Sequence, residues 1–212
     1  MVSPRYAALA GMVGPAVFAL VAVFLTFAQY GFMRDLGWEP LGASDVPWPS
    51  GLALGPLGWL QVLNFAFFGL TLILFALGLD RAVATRGRLS WAGPALLVVS
   101  GVSLMLAAFE TDPRPMVELR TWHGAIHLLA FVLLVLSFLP SLFFWWRRFR
   151  RDPRWRGYAP YTSITAFLYI VLLLASIWQW GFYLFLATVL AWIEVLALHL
   201  RSLANASTPH VR

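Results

Sequence analysis

The stretch TWHGAIHLLAFVLLVLSFLPSLFFWWRRFRRDPRWR, residues 121–156, determines the fold class of this chain. It begins with a polar segment that carries two histidines, continues as an apolar run and ends in a cluster of arginines. An α-helix needs about 20 apolar residues to cross the hydrocarbon core of a bilayer, and this run is long enough. The stretch therefore predicts a membrane-spanning helix with a polar outer end and a basic inner end.

Similar apolar runs recur along the 212-residue chain, in which 61% of the residues are hydrophobic and 11% are charged. Soluble domains contain roughly 25% charged residues, so the composition excludes a soluble enzyme and a disordered protein. A Trp-Gln-Trp-Gly segment at 178–181 divides the longest run into two helices. We therefore predict an all-α, polytopic membrane helical bundle that forms a single integral membrane domain, 1–212. The six transmembrane helices are predicted at about 6–30, 57–79, 91–110, 121–146, 161–178 and 181–200.

The arginines predict the orientation of the bundle. All 15 basic residues are arginine, and most lie at 80–88, at 147–156 or near the termini. Positively charged connections remain in the cytoplasm, so both termini are predicted to be cytoplasmic in a multi-pass protein of a prokaryotic cytoplasmic membrane. Because the arginines lie between apolar runs, no nucleic-acid partner is expected. The bilayer is the expected partner, and topology alone or binding of anionic lipids explains the cluster Arg147, Arg148, Arg150 and Arg151.

The residue types that are absent limit the chemistry. The chain contains no cysteine and no lysine. It therefore has no thiol nucleophile and no iron–sulfur cluster, and no retinal Schiff base is expected. A bis-histidine haem is not expected either, because two histidines one turn apart on one helix cannot ligate opposite faces of a porphyrin.

Polar residues gather at the predicted outer ends of the second, third and fourth helices. Polar groups inside a membrane are costly, so each needs a partner or a function. Asn64 and Gln61 lie three residues apart, on one helix face, and are predicted to bind a ligand. His127 is predicted to lie at nearly the same depth as Asn64.

The spacing of His123 and His127 places both imidazoles on one helix face. With a carboxylate from Asp112 or Glu110, they match a two-His-one-carboxylate site for zinc or another divalent metal that activates water. Asp112, His123 and His127 are the predicted metal ligands, and these three residues with Glu110 are the predicted catalytic residues. The alternative is a hydrogen-bonded network that ties the third helix to the fourth.

Two motifs resemble those of a prokaryotic family of six-helix membrane proteins known as domain of unknown function 998. The motifs are Phe-Glu-Thr-Asp-Pro at 109–113 and His-Gly-Ala-Ile-His at 123–127, and Asn64 and Gly69 fit the same pattern. Glu110 replaces a proline that usually stands in the first motif. The resemblance implies the six-helix layout and links Asn64, Asp112 and the two histidines, but it implies no reaction.

Three functional hypotheses remain open. The first is a metal-dependent membrane hydrolase or lipid-modifying enzyme, in which the aromatic connection at 31–56 caps a lipid substrate. The second is a carrier or sensor whose polar pocket binds a small molecule or a lipid. The third is a non-catalytic accessory subunit whose polar cluster only fixes helix packing. All three place the important residues at the outer ends of helices two, three and four.

Overall fold

A computed structural model describes residues 2–85 and 87–206, so the outermost residues of the predicted domain 1–212 lie outside the described residues. The described residues form seven α-helices: α1 Pro4–Ala28, α2 Tyr30–Asp35, α3 Gly58–Ala82, α4 Ala92–Leu106, α5 Trp122–Phe149, α6 Tyr158–Leu174 and α7 Gln179–Ala206. Two 3-10 helices lie at Ser50–Leu54 and Ala175–Ile177. These ranges contain no β-strand, and their only isolated β-bridge joins Ala43 to Trp178. The predicted all-α class is confirmed.

Five of these helices are long and apolar enough to cross a membrane, namely α1, α3, α5, α6 with the 3-10 turn after it, and α7. The chain is therefore a membrane-embedded helical protein. The predicted third span is shorter than 91–110, because α4 has 15 residues and ends at Leu106. The backbone then tightens, with Ala108 N donating to Met105 O and Phe109 N donating to Leu106 O. This turn directs the following polar segment toward α5.

The helices α1, α3, α4, α5, α6 and α7 form a closed ring. Each packs against the next in this order, and α7 returns to pack against α1. Connections alternate between the two ends of the ring, so neighbouring helices run antiparallel. We name the end that carries residues 30–57 the cap end, and the end that carries residues 83–91 and 150–157 the arginine end. Side chains from all six helices line the interior of the ring.

Glycines permit a close helix contact between α3 and α4. A Cβ atom added at Gly69 would overlap the carbonyl oxygen of Gly101. A Cβ atom added at Gly101 would lie 2.8 Å from the carbonyl oxygen of Gly69 and 2.6 Å from the Ile73 side chain. Small residues at membrane helix interfaces allow backbones to approach and to gain dispersion energy. The two glycines therefore set the spacing of α3 and α4.

Arg148 organises the arginine end. Its side chain is 4% exposed and donates to the Asp80 carboxylate at 2.6 Å. It also donates to the carbonyl oxygens of Asp80, Val83 and Ser90 at 3.0, 2.9 and 3.2 Å. Arg148 therefore fixes the connection between α3 and α4. The predicted contact of Arg148 with lipid headgroups is revised, because its guanidinium faces protein rather than solvent.

Residues 30–57 form a cap, as the aromatic and proline content of this segment predicts. Trp38 is 2% exposed, and Trp48 Nε1 donates to Thr26 Oγ1 at 2.8 Å. Gln29 holds the far end of the segment, because its amide donates to Leu52 O at 3.0 Å and accepts from Leu57 N at 2.8 Å. Gln179 at the start of α7 donates its backbone N–H to Gly42 O at 2.9 Å. The cap is thus joined to both α1 and α7.

Candidate functional site

His127 links three segments at the cap end. Its Nδ1 lies 2.8 Å from the carbonyl oxygen of Phe109, and its Nε2 lies 2.9 Å from Ser50 Oγ. A carbonyl oxygen only accepts hydrogen bonds, so Nδ1 of the neutral ring carries the proton. Nε2 is then an acceptor, and the Ser50 hydroxyl donates to it. His127 therefore joins α5 to the end of α4 and to the cap, in one fixed tautomer.

Asp112 supports the start of α5. Thr121 is the N-cap of this helix, and its hydroxyl accepts from Gly124 N at 3.0 Å and donates to Asp112 Oδ1 at 2.9 Å. Asp112 Oδ2 accepts from the backbone N–H groups of Arg120 and Thr121 at 3.0 and 3.3 Å. A side chain at position 124 would overlap this carboxylate. Asp112 therefore extends the N-cap of α5. The Asp112 carboxylate lies outside the membrane-spanning segments.

The hydrogen bonds keep Asp112 ionised. Burial acts to raise the pKa of the Asp112 carboxyl, but the bonds from Thr121 and Arg120 and the nearby His123 outweigh burial, so the pKa lies below its usual value. A group with a lowered pKa is a poor proton donor at neutral pH. Asp112 is therefore better suited to orienting the backbone than to general acid catalysis.

His123 forms its hydrogen bonds with different residues from those that His127 contacts. Its Nδ1 lies 2.9 Å from the carbonyl oxygen of Glu110 and 3.2 Å from the Thr121 hydroxyl. The residue Glu110 is exposed, and only its backbone carbonyl makes this contact. The histidines share a helix face, as their spacing predicts, but each is bound to the backbone at the end of α4. This arrangement matches the predicted alternative, a network that ties the third helix to the fourth.

The predicted metal ligands are not assembled. Across residues 2–85 and 87–206, no group of three or more histidine, aspartate and glutamate side chains is placed to hold a metal ion. Both ring nitrogens of His127 are occupied by Phe109 and Ser50, and the oxygens of Asp112 accept from protein donors. The geometry therefore gives no support to the predicted metal site at His123, His127 and Asp112.

Asn64 and Gln61 lie together, as their spacing predicts. Asn64 Nδ2 donates to Phe18 O at 3.1 Å and to Gln61 Oε1 at 3.2 Å, and both side chains are buried. Gln61 Nε2 and Asn64 Oδ1 have no hydrogen-bond partner among the described residues. No hydrogen bond within the described ranges connects this pair to His127, although the Phe65 and His127 rings are 6.0 Å apart. The predicted single polar pocket is therefore two adjacent polar sites.

A cavity of about 70 Å³ lies inside the ring, next to His127. Its lining comes from all six ring helices and the cap: Phe18, Pro49, Ser50, Phe65, Phe68, Leu72, Leu104, Ala107, His127, Phe131, Leu134, Phe138, Tyr169, Phe182, Phe185, Leu186, Val189 and Ile193. Almost every residue of this lining is apolar. The Ser50 hydroxyl and the His127 ring form its polar edge at the cap. Protein interiors are close-packed, so a space lined by six helices is a candidate binding site.

Sequence reasoning missed Ser50, which lies 77 positions before its partner His127. No local motif connects the two residues. The only available signal was the position of Ser50 after a Pro-Trp-Pro run in a segment already predicted to cover the bundle. Tyr169 and Phe185, which also line the cavity, belong to apolar runs in which no residue stands out.

Comparison with known proteins places the chain in a family but supplies no activity. No characterised protein and no solved structure matches the sequence. A family model described as a protein of unknown function, DUF998, matches residues 49–201, which is more than half of the chain. The matched region begins within the cap and includes Ser50, His127, the helices α3 to α6 and most of α7. The chain therefore belongs to the DUF998 family of proteins of unknown function.

Proposed function

We propose that the protein binds a small apolar group, such as the part of an acyl chain next to its carbonyl, in the ring cavity. A polar group of the same molecule would lie at Ser50 and His127. One observation carries this proposal: a closed ring of six helices surrounds an apolar space whose polar edge lies under the cap. This is the carrier or sensor hypothesis, with the ring cavity as its proposed site.

The size and lining of the cavity support an apolar occupant. A water molecule needs roughly 10–15 Å³ by the same measure, so a space of about 70 Å³ accommodates several non-hydrogen atoms. Apolar cavities exclude water and bind apolar molecules. Each methylene group that leaves water contributes about 0.8 kcal/mol, although a ligand that comes from the bilayer gains mainly packing energy. The polar edge then selects the orientation of the ligand.

The bilayer is the proposed source of the ligand. We propose α4 as the sixth crossing, with both termini in the cytoplasm and the cap on the outer face of a cytoplasmic membrane. The alternation of helix directions around the ring and the arginines at 147–156 favour this orientation. α6 is the least buried of the five long apolar helices, and we propose that the ligand enters the cavity from lipid along its flanks.

Filling the cavity is expected to abolish ligand binding. Ala107 is 6% exposed and lines the cavity, so Ala107→Phe places a ring where the ligand would lie. The probe is a photoreactive palmitic acid with a diazirine in its chain, added to the full-length protein in nanodiscs. Specific cross-linking is the part that excess palmitic acid suppresses. We expect this specific cross-linking to be at least fivefold lower in Ala107→Phe than in wild type.

The matched control is Ala187→Phe, which adds the same ring to an exposed position on α7. This variant is expected to retain wild-type cross-linking. Equal labelling of Ala107→Phe and wild type, with both variants as thermally stable as wild type, would contradict the proposal. If excess palmitic acid suppresses no cross-linking in the wild type, the accessory-subunit hypothesis would be favoured.

A second candidate function, acyl transfer, is favoured by the tautomer of His127. Because Nε2 accepts from the Ser50 hydroxyl, it is placed to take the proton as Ser50 Oγ attacks an ester carbonyl. The Oγ–carbonyl bond forms, the ester C–O bond breaks, and His127 returns the proton to the departing alcohol. Water then cleaves the acyl-serine bond. This hydrolase requires no metal, in contrast to the one that the sequence suggested.

Serine labelling tests the second candidate. A fluorophosphonate with an alkyl chain reacts with an activated serine, so wild-type protein is expected to be labelled and Ser50→Ala is not. Ser44→Ala is the control, because Ser44 lies in the same cap and bonds only to backbone groups. Labelling that survives in Ser50→Ala, or that is absent from the wild type, would overturn acyl transfer and leave the binding proposal standing.

A further inference from the structure

A small pocket at the arginine end lies between the α3–α4 connection and the last turn of α5. Its volume is about 20 Å³, and three exposed arginines line it: Arg88 from the connection, and Arg147 and Arg151 from the end of α5 and the residues that follow. Ser90 also contributes to the lining. The pocket is separate from the ring cavity, with which it shares no lining residue.

The pocket is built on buried structure rather than on a mobile surface. Arg148 bonds to the Ser90 and Val83 carbonyl oxygens and so holds the connection against α5. Asp152 accepts from Ala84 N at 2.9 Å, which fixes the same connection from a second side. At Gly87, the nearest atom to an added Cβ would be an Arg151 guanidinium nitrogen, at 3.9 Å. Both sides of the pocket are therefore held in place.

Among the described residues, no carboxylate neutralises the positive charge of the pocket. In the described part of the chain, the two carboxylates at this end pair elsewhere, Asp80 with Arg148 and Asp152 with Arg154. Arg88, Arg147 and Arg151 make no ion pair with any described residue, and Arg147 lies 5.9 Å over the Phe143 ring. The space of about 20 Å³ holds roughly one or two oxygen atoms, so three guanidinium groups around it match an anion that inserts its acceptor oxygens and stays at the mouth of the pocket.

Aromatic residues place the pocket at the membrane surface. Trp91 is 67% exposed beside the connection, and Arg150 lies 4.9 Å over the Trp146 ring. Tryptophan is enriched at the level of lipid headgroups. Basic pockets between membrane helices at this level bind anionic headgroups. The phosphate of a lipid is therefore the anion that reaches this pocket at the highest local concentration.

We propose that Arg88, Arg147 and Arg151 form a binding site for a phosphate group, which an anionic phospholipid headgroup or free phosphate can supply. This assignment revises the sequence-based one. Arg147 and Arg151 remain lipid-binding residues, and Arg88 is added to them. Arg148 supports the site instead of binding the anion. Arg150 lies over the Trp146 ring and is no longer part of the site. The site is independent of the ring cavity and of its ligand.

Lipid titration of the full-length protein tests the site. Native mass spectrometry measures the dissociation constant for phosphatidylglycerol, with phosphatidylcholine as the zwitterionic reference. The double variant Arg88→Gln/Arg151→Gln is expected to weaken binding of phosphatidylglycerol by about tenfold and to leave phosphatidylcholine unchanged. The control Arg156→Gln/Arg201→Gln removes the same charge from exposed positions outside the pocket and is expected to match wild type.

A second arm identifies the source of the phosphate. Inorganic phosphate at millimolar concentration is added to wild-type protein with bound phosphatidylglycerol. Displacement of the lipid supports a site open to free phosphate. Retention of the lipid supports a headgroup site. The proposal is overturned if the pocket variant binds phosphatidylglycerol as wild type does. It is also overturned if both double variants weaken binding equally, since total charge rather than the pocket would then govern binding.

Discussion

Replacing Arg148 with alanine is expected to lower the free energy of unfolding by about 3 kcal/mol. The substitution leaves the Asp80 carboxylate without this partner and removes the donor to the Val83 and Ser90 carbonyl oxygens. Breaking a buried ion pair typically costs about 3–5 kcal/mol, and the lower value applies because the Asp80 side chain is 29% exposed. The measurement is unfolding in mixed micelles titrated with sodium dodecyl sulfate.

The neighbouring Arg147→Ala provides the comparison. Arg147 is exposed, so the loss of its charge is expected to change the free energy of unfolding by less than about 0.5 kcal/mol. If the two alanine variants unfolded at the same detergent fraction, Arg148 would not fix the α3–α4 connection. The support proposed for the phosphate pocket would then be lost as well.

Gly69→Ala is expected to destabilise the ring by about 1–3 kcal/mol, at the level of an overpacked core. The added methyl group would meet the backbone of α4 at Gly101 and at Met105 N. Backbone atoms cannot rotate away as a side chain does, so α3 and α4 must separate. Gly101→Ala is expected to act in the same direction, because its Cβ would approach Gly69 O.

Gly31→Ala is the matched control for this pair. Gly31 lies in α2, and within the described ranges no atom outside its own helix lies within 4 Å of an added Cβ. Alanine is favoured over glycine in a helix by roughly 0.5–1 kcal/mol, so this variant is expected to be as stable as wild type or more stable. A Gly69→Ala variant with wild-type stability would show that α3 and α4 are farther apart than described.

The sequence predicted the elements that depend on local composition. Long apolar runs identified five helices that are long and apolar enough to cross a membrane, because the bilayer requires about 20 residues per crossing whatever the tertiary fold. The three-residue spacing of Gln61 and Asn64 predicted a shared helix face, and the two side chains lie together there, with Asn64 Nδ2 donating to Gln61 Oε1. The aromatic and proline content of residues 31–56 correctly predicted a segment that folds back on the helices.

The candidate site depends on contacts that sequence spacing does not encode. The spacing of His123 and His127 predicted a shared face but could not show that the Phe109 and Glu110 carbonyl oxygens would take their Nδ1 atoms. These two carbonyl groups can accept from the histidines because α4 ends at Leu106, before them in the chain. Ser50 reaches His127 only because the cap folds over the ring, so its role required the tertiary structure.

The position of a bound acyl chain shows whether the ring cavity is the binding site. Photoreactive palmitic acid is cross-linked to the full-length protein in nanodiscs, and the modified residues are identified by proteolysis and mass spectrometry. We expect labelling that excess palmitic acid suppresses to lie on cavity residues such as Phe131, Leu134 and Phe185. Labelling confined to exposed, lipid-facing residues such as Leu136 and Phe167, with the cavity residues unmodified, would show that the cavity does not bind the chain.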